Sequence, residues 1–232
     1  MEQREHLKKL TLLYGTTNPA KLEAMKNRLS DLPFLEIEGL KEGMSGVTIQ
    51  PGDSQRTGKL PQMKETGNSV LENAVQKARQ YYELLHRPVF SCDTGIYLEG
   101  VPGELQPGIH VRQREGKYLT DEELLGFYQD LAVRYDPLTA VYQNGICLIL
   151  DEEHIYASAD ASLKSKPFRI VDKPHPIRKE GFPLDSLSVD PETGAYFYDL
   201  AKDSLDKIAV EDGFLQFFKD VFTGRTDWKK WI

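Results

Sequence analysis

Leu10-Thr11-Leu12-Leu13-Tyr14-Gly15-Thr16-Thr17-Asn18-Pro19-Ala20-Lys21 is the stretch on which the fold turns. The apolar run Leu10 to Tyr14 reads as a buried first strand, and Gly15-Thr16-Thr17-Asn18 as a tight turn. Asn18 suits the N-cap of a helix, and Pro19 suits the first helical position, where a missing N–H costs nothing. Leu22, Met25 and Leu29 recur at helical spacing, so the helix carries an apolar stripe that needs a sheet beneath it. Strand, turn and helix in that order open an α/β fold.

From Gly39 to Asn68 periodicity is lost and glycines punctuate the chain, which predicts a long loop with at most one short strand. Order returns at Ser69-Val70-Leu71-Glu72, a capping box, and Val70, Ala74, Lys77, Ala78 and Tyr81 continue a helix to about His86. Pro88 to Cys92 is a strand ending on Asp93-Thr94-Gly95, and Ile96 to Glu99 a further short one. Thr120-Asp121-Glu122-Glu123 opens another helix, running to about Val133. Thr139 to Leu150 is strongly strand-like, with Glu153 to Lys164 as its partner across Asp151-Glu152-Glu153. A basic, proline-containing connection follows, and a last helix is expected from Leu205 to Phe222, with Gly213 as a point of interruption. The mixture predicts an α/β protein: an elongated central mixed sheet flanked by helices, one domain over residues 1–232, with two lobes around a cleft.

A chain of 232 residues can bury a real core. Its net charge of −7 argues against general binding of nucleic-acid polymers, which is driven by lysine and arginine neutralising phosphates. A small phosphorylated ligand needs only a local cluster of cations and amides, so that class stays open. Met1 to Lys9 is charged and unlike a signal peptide, and no apolar run approaches the roughly 20 residues of a membrane helix. The expectation is a cytoplasmic protein with no membrane partner. Cys92 and Cys147 both fall in apolar strand-like runs and read as reduced core thiols.

Three constellations carry chemistry. Thr16, Thr17, Asn18 and Lys21 lie at a strand-to-helix turn, where unpaired N–H groups and the helix dipole favour phosphate. The bland alternative is a well-capped helix with a solvated lysine. Glu65 and Asp93, with Glu72 as a possible third, supply the hard oxygen donors that magnesium takes together with substrate phosphates. For Glu72 the capping box is already a sufficient explanation. Lys77, five residues beyond Glu72, gains interest because its helix leads into the strand that delivers Asp93. The apolar strand followed by Asp93-Thr94-Gly95 also fits one half of an aspartic protease site. A single triplet would require a dimer of short, nearly all-β chains, and the helices here speak against that.

Taken together these segments resemble the inosine triphosphate pyrophosphatase family. The family's first strand ends in Thr-Gly-Asn-x-x-Lys, matched by Thr16-Thr17-Asn18-Pro19-Ala20-Lys21. Its glutamate followed by Glu-Asn-Ala-x-x-Lys-Ala is matched by Glu65 and by Glu72-Asn73-Ala74-Val75-Gln76-Lys77-Ala78. Val89 to Gly95, Pro107-Gly108 and Gly181-Phe182-Pro183-Leu184-Asp185 fit its later motifs in order. The resemblance implies a nucleoside triphosphate as substrate, cleaved to monophosphate and pyrophosphate with Mg2+, and a homodimer. It further implies that Thr16, Thr17, Asn18 and Lys21 hold the triphosphate, that Glu65 and Asp93 position the metal, and that Asp93 orients or deprotonates the attacking water. Lys77 would lie by the phosphates, Thr94 and Gly95 beside the substrate, and Phe182 and Asp185 at the base.

The departures concern the base. The family carries Ser-His-Arg near its C-terminus, where this chain has Ala209-Val210-Glu211, and Lys207 is the nearest candidate for the lysine that precedes the motif. Thr17 replaces a glycine, and the family's Ser-Ala-Arg is blurred into His110-Val111-Arg112. These differences predict a changed base preference. They also leave open a drifted relative that binds nucleotide without turning it over.

Overall fold

The computed structural model describes residues 9–43, 63–201 and 211–224. Strand β1 (Leu10–Tyr14) runs into helix α1 (Pro19–Arg28), and the Asn18 side chain caps that helix by accepting from the amides of Ala20 and Lys21. A 3-10 turn at Leu29–Asp31 leads to β2 (Leu35–Gly39), where buried Leu35 and Ile37 alternate with exposed Glu36 and half-buried Glu38. Helix α2 (Leu40–Gly43) follows. Helix α3 spans Val70–Leu85 and buries Val70, Ala74, Ala78, Tyr81 and Leu85, one stripe at helical spacing. Ser69 caps it as expected, accepting from the Glu72 amide, but the Glu72 carboxylate reaches past Ser69 to the amide of Asn68 at 2.7 Å.

β3 is a single strand, Val89–Leu98. The sequence reading ends a strand at Cys92 and begins another at Ile96. The chain instead continues through Asp93-Thr94-Gly95, because β6 (Leu138–Ile149) pairs with it from Val89↔Ile149 to Leu98↔Ala140. Asp93 therefore lies within a strand, opposite Gly145. β4 (Gln113–Arg114) and β5 (Lys117–Tyr118) form a small hairpin, and α4 (Asp121–Arg134) begins with a complete capping box between Thr120 and Glu123. β7 covers only Ile155–Ser158, shorter than the expected partner strand, since Asp160 stops it by capping a 3-10 turn at Ala161–Leu163. β8 (Phe168–Ile170), β9 (Ser188–Val189) and α5 (Glu211–Thr223) complete the described chain. Gly213 does not break α5, and the expected stretch Leu205–Val210 lies outside the described residues.

The main sheet has the order β2-β1-β3-β6-β8-β9, with β7 also on β6. β1 is parallel to β2 and β3, and the remaining pairs are antiparallel, so the sheet is mixed. One face of its first half packs Leu12, Tyr14, Phe90, Cys92, Ile146 and Leu148 against α1 and α5 through Met25, Phe217 and Phe218. The other face packs Leu13, Val89 and Cys147 against Ala74, Ala78 and Tyr81 of α3. The far half packs Ile96, Leu98, Leu138, Ala140 and Phe168 against Leu124, Tyr128 and Leu131 of α4. Burying aliphatic and aromatic side chains of this size contributes about 1.5–3 kcal/mol each. Cys92 and Cys147 are both free and buried.

β1 pairs with β3 only as far as Tyr14↔Phe90, and then the chain turns away at Gly15 into α1. Along that edge β3 runs on from Ser91 to Gly95 before Ile96 bridges Gly108. A crevice opens where a parallel strand stops and its neighbour continues, which is where α/β sheets place ligands.

Candidate active site

Asp93 reaches this crevice three residues beyond the last β1 pair. Its Oδ2 accepts from the Nδ2 of buried Asn73 at 3.1 Å, and its Oδ1 lies 3.9 Å from Lys77 Nζ. Asn73 and Lys77 are one helical turn apart on α3 and so share a face. The approach of α3 to the sheet is very close at Gly145, where a β-carbon would lie 2.5 Å from the Val70 carbonyl oxygen. Gly145 is the residue opposite Asp93, so this contact sets both partners over the carboxylate.

Glu65 comes from the segment preceding α3. Its carboxylate is in ion contact with Lys77, whose ammonium also donates to the Cys92 carbonyl at 3.2 Å. The segment is tied down by Asn73, which accepts from the Gly67 amide at 2.9 Å, and by Gln76, which accepts from the Thr66 amide at 2.9 Å. Asn73 thus joins the loop that carries Glu65 to the strand that carries Asp93.

Lys21 approaches from α1. Burial lowers its affinity for a proton, as does the like charge of Lys77, while Asp93, Cys92 and Glu65 pull the other way. Burial raises the Asp93 carboxyl above the ordinary carboxylate range; Lys77 opposes this, Glu65 adds to it, and Asn73 and Lys21 oppose it. Lys21, Glu65, Lys77 and Asp93 therefore feel one another electrostatically and form one cluster.

The other expected site residues divide. Thr16 accepts from the Asn18 amide at 3.2 Å, and Thr17 is exposed in the same turn. Glu72 stays outside the cluster as a cap residue. The Thr94 hydroxyl donates to Asn144 Oδ1 at 2.7 Å, away from Asn73 and Lys77, and Gly95 is packed against Gly108. Phe182 has the Lys179 ammonium 5.1 Å from its ring centroid. Asp185 is pushed up to about 6 by burial, against the pull of Lys179. Lys207 lies outside the described residues.

An open groove of about 510 Å³ is lined by Asn18, Pro19, Ala20 and Glu23 of the turn and α1, and Lys21, Glu65, Lys77 and Asp93 do not line it. Arg112, Asp121, Lys179, Glu180 and Gly181 line the other side. Arg112 is paired with Asp121 at 2.6 Å. Sequence reasoning did not select Asn73 or Lys179. For Asn73 the signal is its four-residue spacing from Lys77; for Lys179 it is the three-residue spacing from Phe182, in a turn closed by the Phe182 amide donating to the Lys179 carbonyl at 3.0 Å.

A profile of the Ham1 family matches residues 12–210. The chain belongs to the Ham1 family. Among its relatives, a dITP/XTP pyrophosphatase of Thermoanaerobacter sp. strain X514 is 25% identical over 224 residues, 95% of this chain and 100% of that one. A dITP/XTP pyrophosphatase of Legionella pneumophila strain Paris is 37% identical over 112 residues, 48% of this chain and 47% of the relative. The Ham1 protein of Staphylococcus aureus shares the fold with a TM-score of 0.65 at 18% identity, over 93% of this chain and 100% of the other. A HAM1 protein from Coxiella burnetii gives a TM-score of 0.65 at 21% identity, over 93% and 99%. The expected mixed sheet flanked by helices is thus the Ham1 fold.

Proposed function

We propose that this chain is a nucleoside triphosphate pyrophosphohydrolase, releasing the monophosphate and pyrophosphate with Mg2+ as cofactor. The observation that carries the reading is the cluster of Lys21, Lys77, Glu65 and Asp93 beside the capped turn of a Ham1 chain. The proposed enzyme is one domain whose two lobes face each other across the groove, and it works as a homodimer.

The donor set fits a magnesium ion. Glu65 and Asp93 offer carboxylate oxygens around one shared cation, and magnesium is commonly held by one or two carboxylates with phosphate oxygens and waters completing the shell. When bound, the ion would supply charge neutralisation on the phosphate chain and the departing pyrophosphate. The remaining work falls to the chain itself. Lys21 and Lys77 bind phosphate oxygens beside the turn at Thr16, Thr17 and Asn18, where the Thr16 and Asn18 amides are already bonded to the Tyr14 carbonyl and the Thr16 hydroxyl. Asp93, held by Asn73, orients the attacking water and accepts its proton; burial makes the carboxylate a stronger base than usual. Thr94 and Gly95 fix the strand beneath it.

On the base side, Phe182 offers a ring face, and Asp185 and Lys179 offer polar groups. With Ala209-Val210-Glu211 in place of Ser-His-Arg, the proposed substrates are modified purine nucleotides, recognised with an altered base preference.

The test is incubation with Mg2+ and a panel of ordinary and modified nucleoside triphosphates, with pyrophosphate and monophosphate quantified. Release is expected, and Asp93→Asn should reduce it at least about 100-fold without unfolding the protein. Binding without release would replace the enzyme with a nucleotide sensor. Cleavage of a peptide substrate in place of nucleotides would revive the protease alternative.

A further inference from the structure

We propose that Lys77 is the resident counter-ion of Glu65 and Asp93, and that by occupying them it makes entry of the divalent cation depend on entry of the polyphosphate. This inference rests on the pyrophosphohydrolase reading for its ligands and deepens it.

One ammonium serves two carboxylates that arrive from separate parts of the chain. Lys77 touches Glu65, lies 3.9 Å from Asp93 Oδ1, and donates to the Cys92 carbonyl at 3.2 Å. The side chains of Lys77 and Asp93 are 17% and 13% exposed, so water screens their attraction only in part. Lys21 is the second cation felt by Asp93, and it is partly buried as well. Two carboxylates and two ammonium groups cancel.

Consider what each ligand meets alone. A bare divalent cation reaches a cluster that is already neutral. It gains Glu65 and Asp93 only by driving Lys77 off them, which leaves an ammonium beside a dication. A bare polyphosphate brings its negative charge up to two carboxylates. When both arrive, every charge finds its opposite: the carboxylates turn to the metal, and Lys77 and Lys21 turn to phosphate oxygens. The Cys92 carbonyl lets the Lys77 ammonium keep one hydrogen bond while it exchanges the others. Among the described residues no group of three or more His, Cys, Asp or Glu side chains is placed to hold a metal ion. Linkage then requires that each ligand tighten the other by the same factor.

The experiment measures free Mn2+ by electron paramagnetic resonance over the full chain. It is run with and without a nucleoside triphosphate whose α and β phosphorus atoms are joined by methylene, so that nothing is cleaved. The native protein should bind Mn2+ weakly alone and about tenfold or more tightly with the analogue. Lys77→Met removes the charge and keeps the stem; it should bind Mn2+ alone about tenfold more tightly than the native protein and lose most of the mutual tightening. Lys77→Arg should leave Mn2+ binding without nucleotide weak. If circular dichroism shows that Lys77→Met does not fold, Lys77→Gln takes its place.

A neutral variant that binds Mn2+ alone no more tightly than the native protein overturns the coupling, and the hydrolase reading survives if pyrophosphate is still released. The full pattern without pyrophosphate release upholds the coupling and removes the hydrolase. Failure to bind Mn2+ under either condition overturns both.

Discussion

Asn18 and Gly181, 163 positions apart, meet at the edge of the groove: the Asn18 side-chain nitrogen donates to the Gly181 carbonyl at 3.3 Å. The oxygen of the same amide caps α1. Gly181 has φ +85, and a β-carbon there would come within 2.7 Å of Asn18 Oδ1. Gly181→Ala therefore combines backbone strain with a push on the cap. Each is worth about 1–2 kcal/mol, so the midpoint of urea unfolding should fall measurably. Because Asn18 sits beside the expected phosphate position, KM for triphosphate should rise more than kcat falls. An unchanged KM would place Asn18 away from the substrate.

Lys21→Ala tests the phosphate end directly. Removing a partly buried ammonium from a polyphosphate should weaken triphosphate binding about tenfold to a hundredfold. Binding of the matching nucleoside should barely change. Titration calorimetry with both ligands decides it, and equal losses would show that Lys21 does not face the phosphates.

Gly145→Ala should damage stability and activity together. Alanine is normally the better strand residue, but here its methyl would lie 2.5 Å from the Val70 carbonyl, a backbone atom that cannot swing aside. The clash should outweigh the propensity gain and cost about 1–3 kcal/mol. Lifting the start of α3 also carries Asn73 and Lys77 off Asp93, so kcat per folded molecule should drop. Thermal unfolding and a turnover assay on the soluble fraction separate the two effects.

Asp185 gives the protein a pH-dependent stability. Its folded value, about 6, lies above the ordinary 3.8, so between those values the folded state binds more protons than the unfolded chain. Stability attributable to this residue is therefore present at the acidic end and falls as pH rises through about 6. Asp185→Asn mimics the neutral acid and should match the native protein near pH 4. Above pH 7 it should exceed the native protein by about 2 kcal/mol, once partial exposure is discounted. Urea titrations at both pH values measure the difference; an equal gap at each would show that the carboxyl does not titrate in this window.

Local signals in the sequence were enough to start α1 at Asn18-Pro19 and α3 at Ser69, because caps are decided within one turn of helix. The continuation of β3 was not legible. Asp93-Thr94-Gly95 looks like a strand end until β6 is known to run alongside it, and that pairing spans fifty residues between Thr94 and Asn144. β2 carries a weak signal although Leu35 and Ile37 alternate with Glu36 and Glu38, because the strand is short and opens directly into α2. In the cluster, Lys21, Glu65, Lys77 and Asp93 could be named from types and order. Their convergence depends on β1 stopping at Tyr14 while β3 goes on, which no local pattern records.

The strand-borne position of Asp93 has a consequence for how such a protein can diversify. The same ladder that sets this carboxylate runs on through Ile96 and Leu98 into the packing of α4, so its location is inherited from the scaffold and not from any loop. The groove rim at Lys179 and Glu180 lies on a segment apart from that ladder and can accept replacements without moving Asp93, whereas Gly181 is held to Asn18. Drift in what is recognised, with constancy in which bond is cut, is what that division of labour permits.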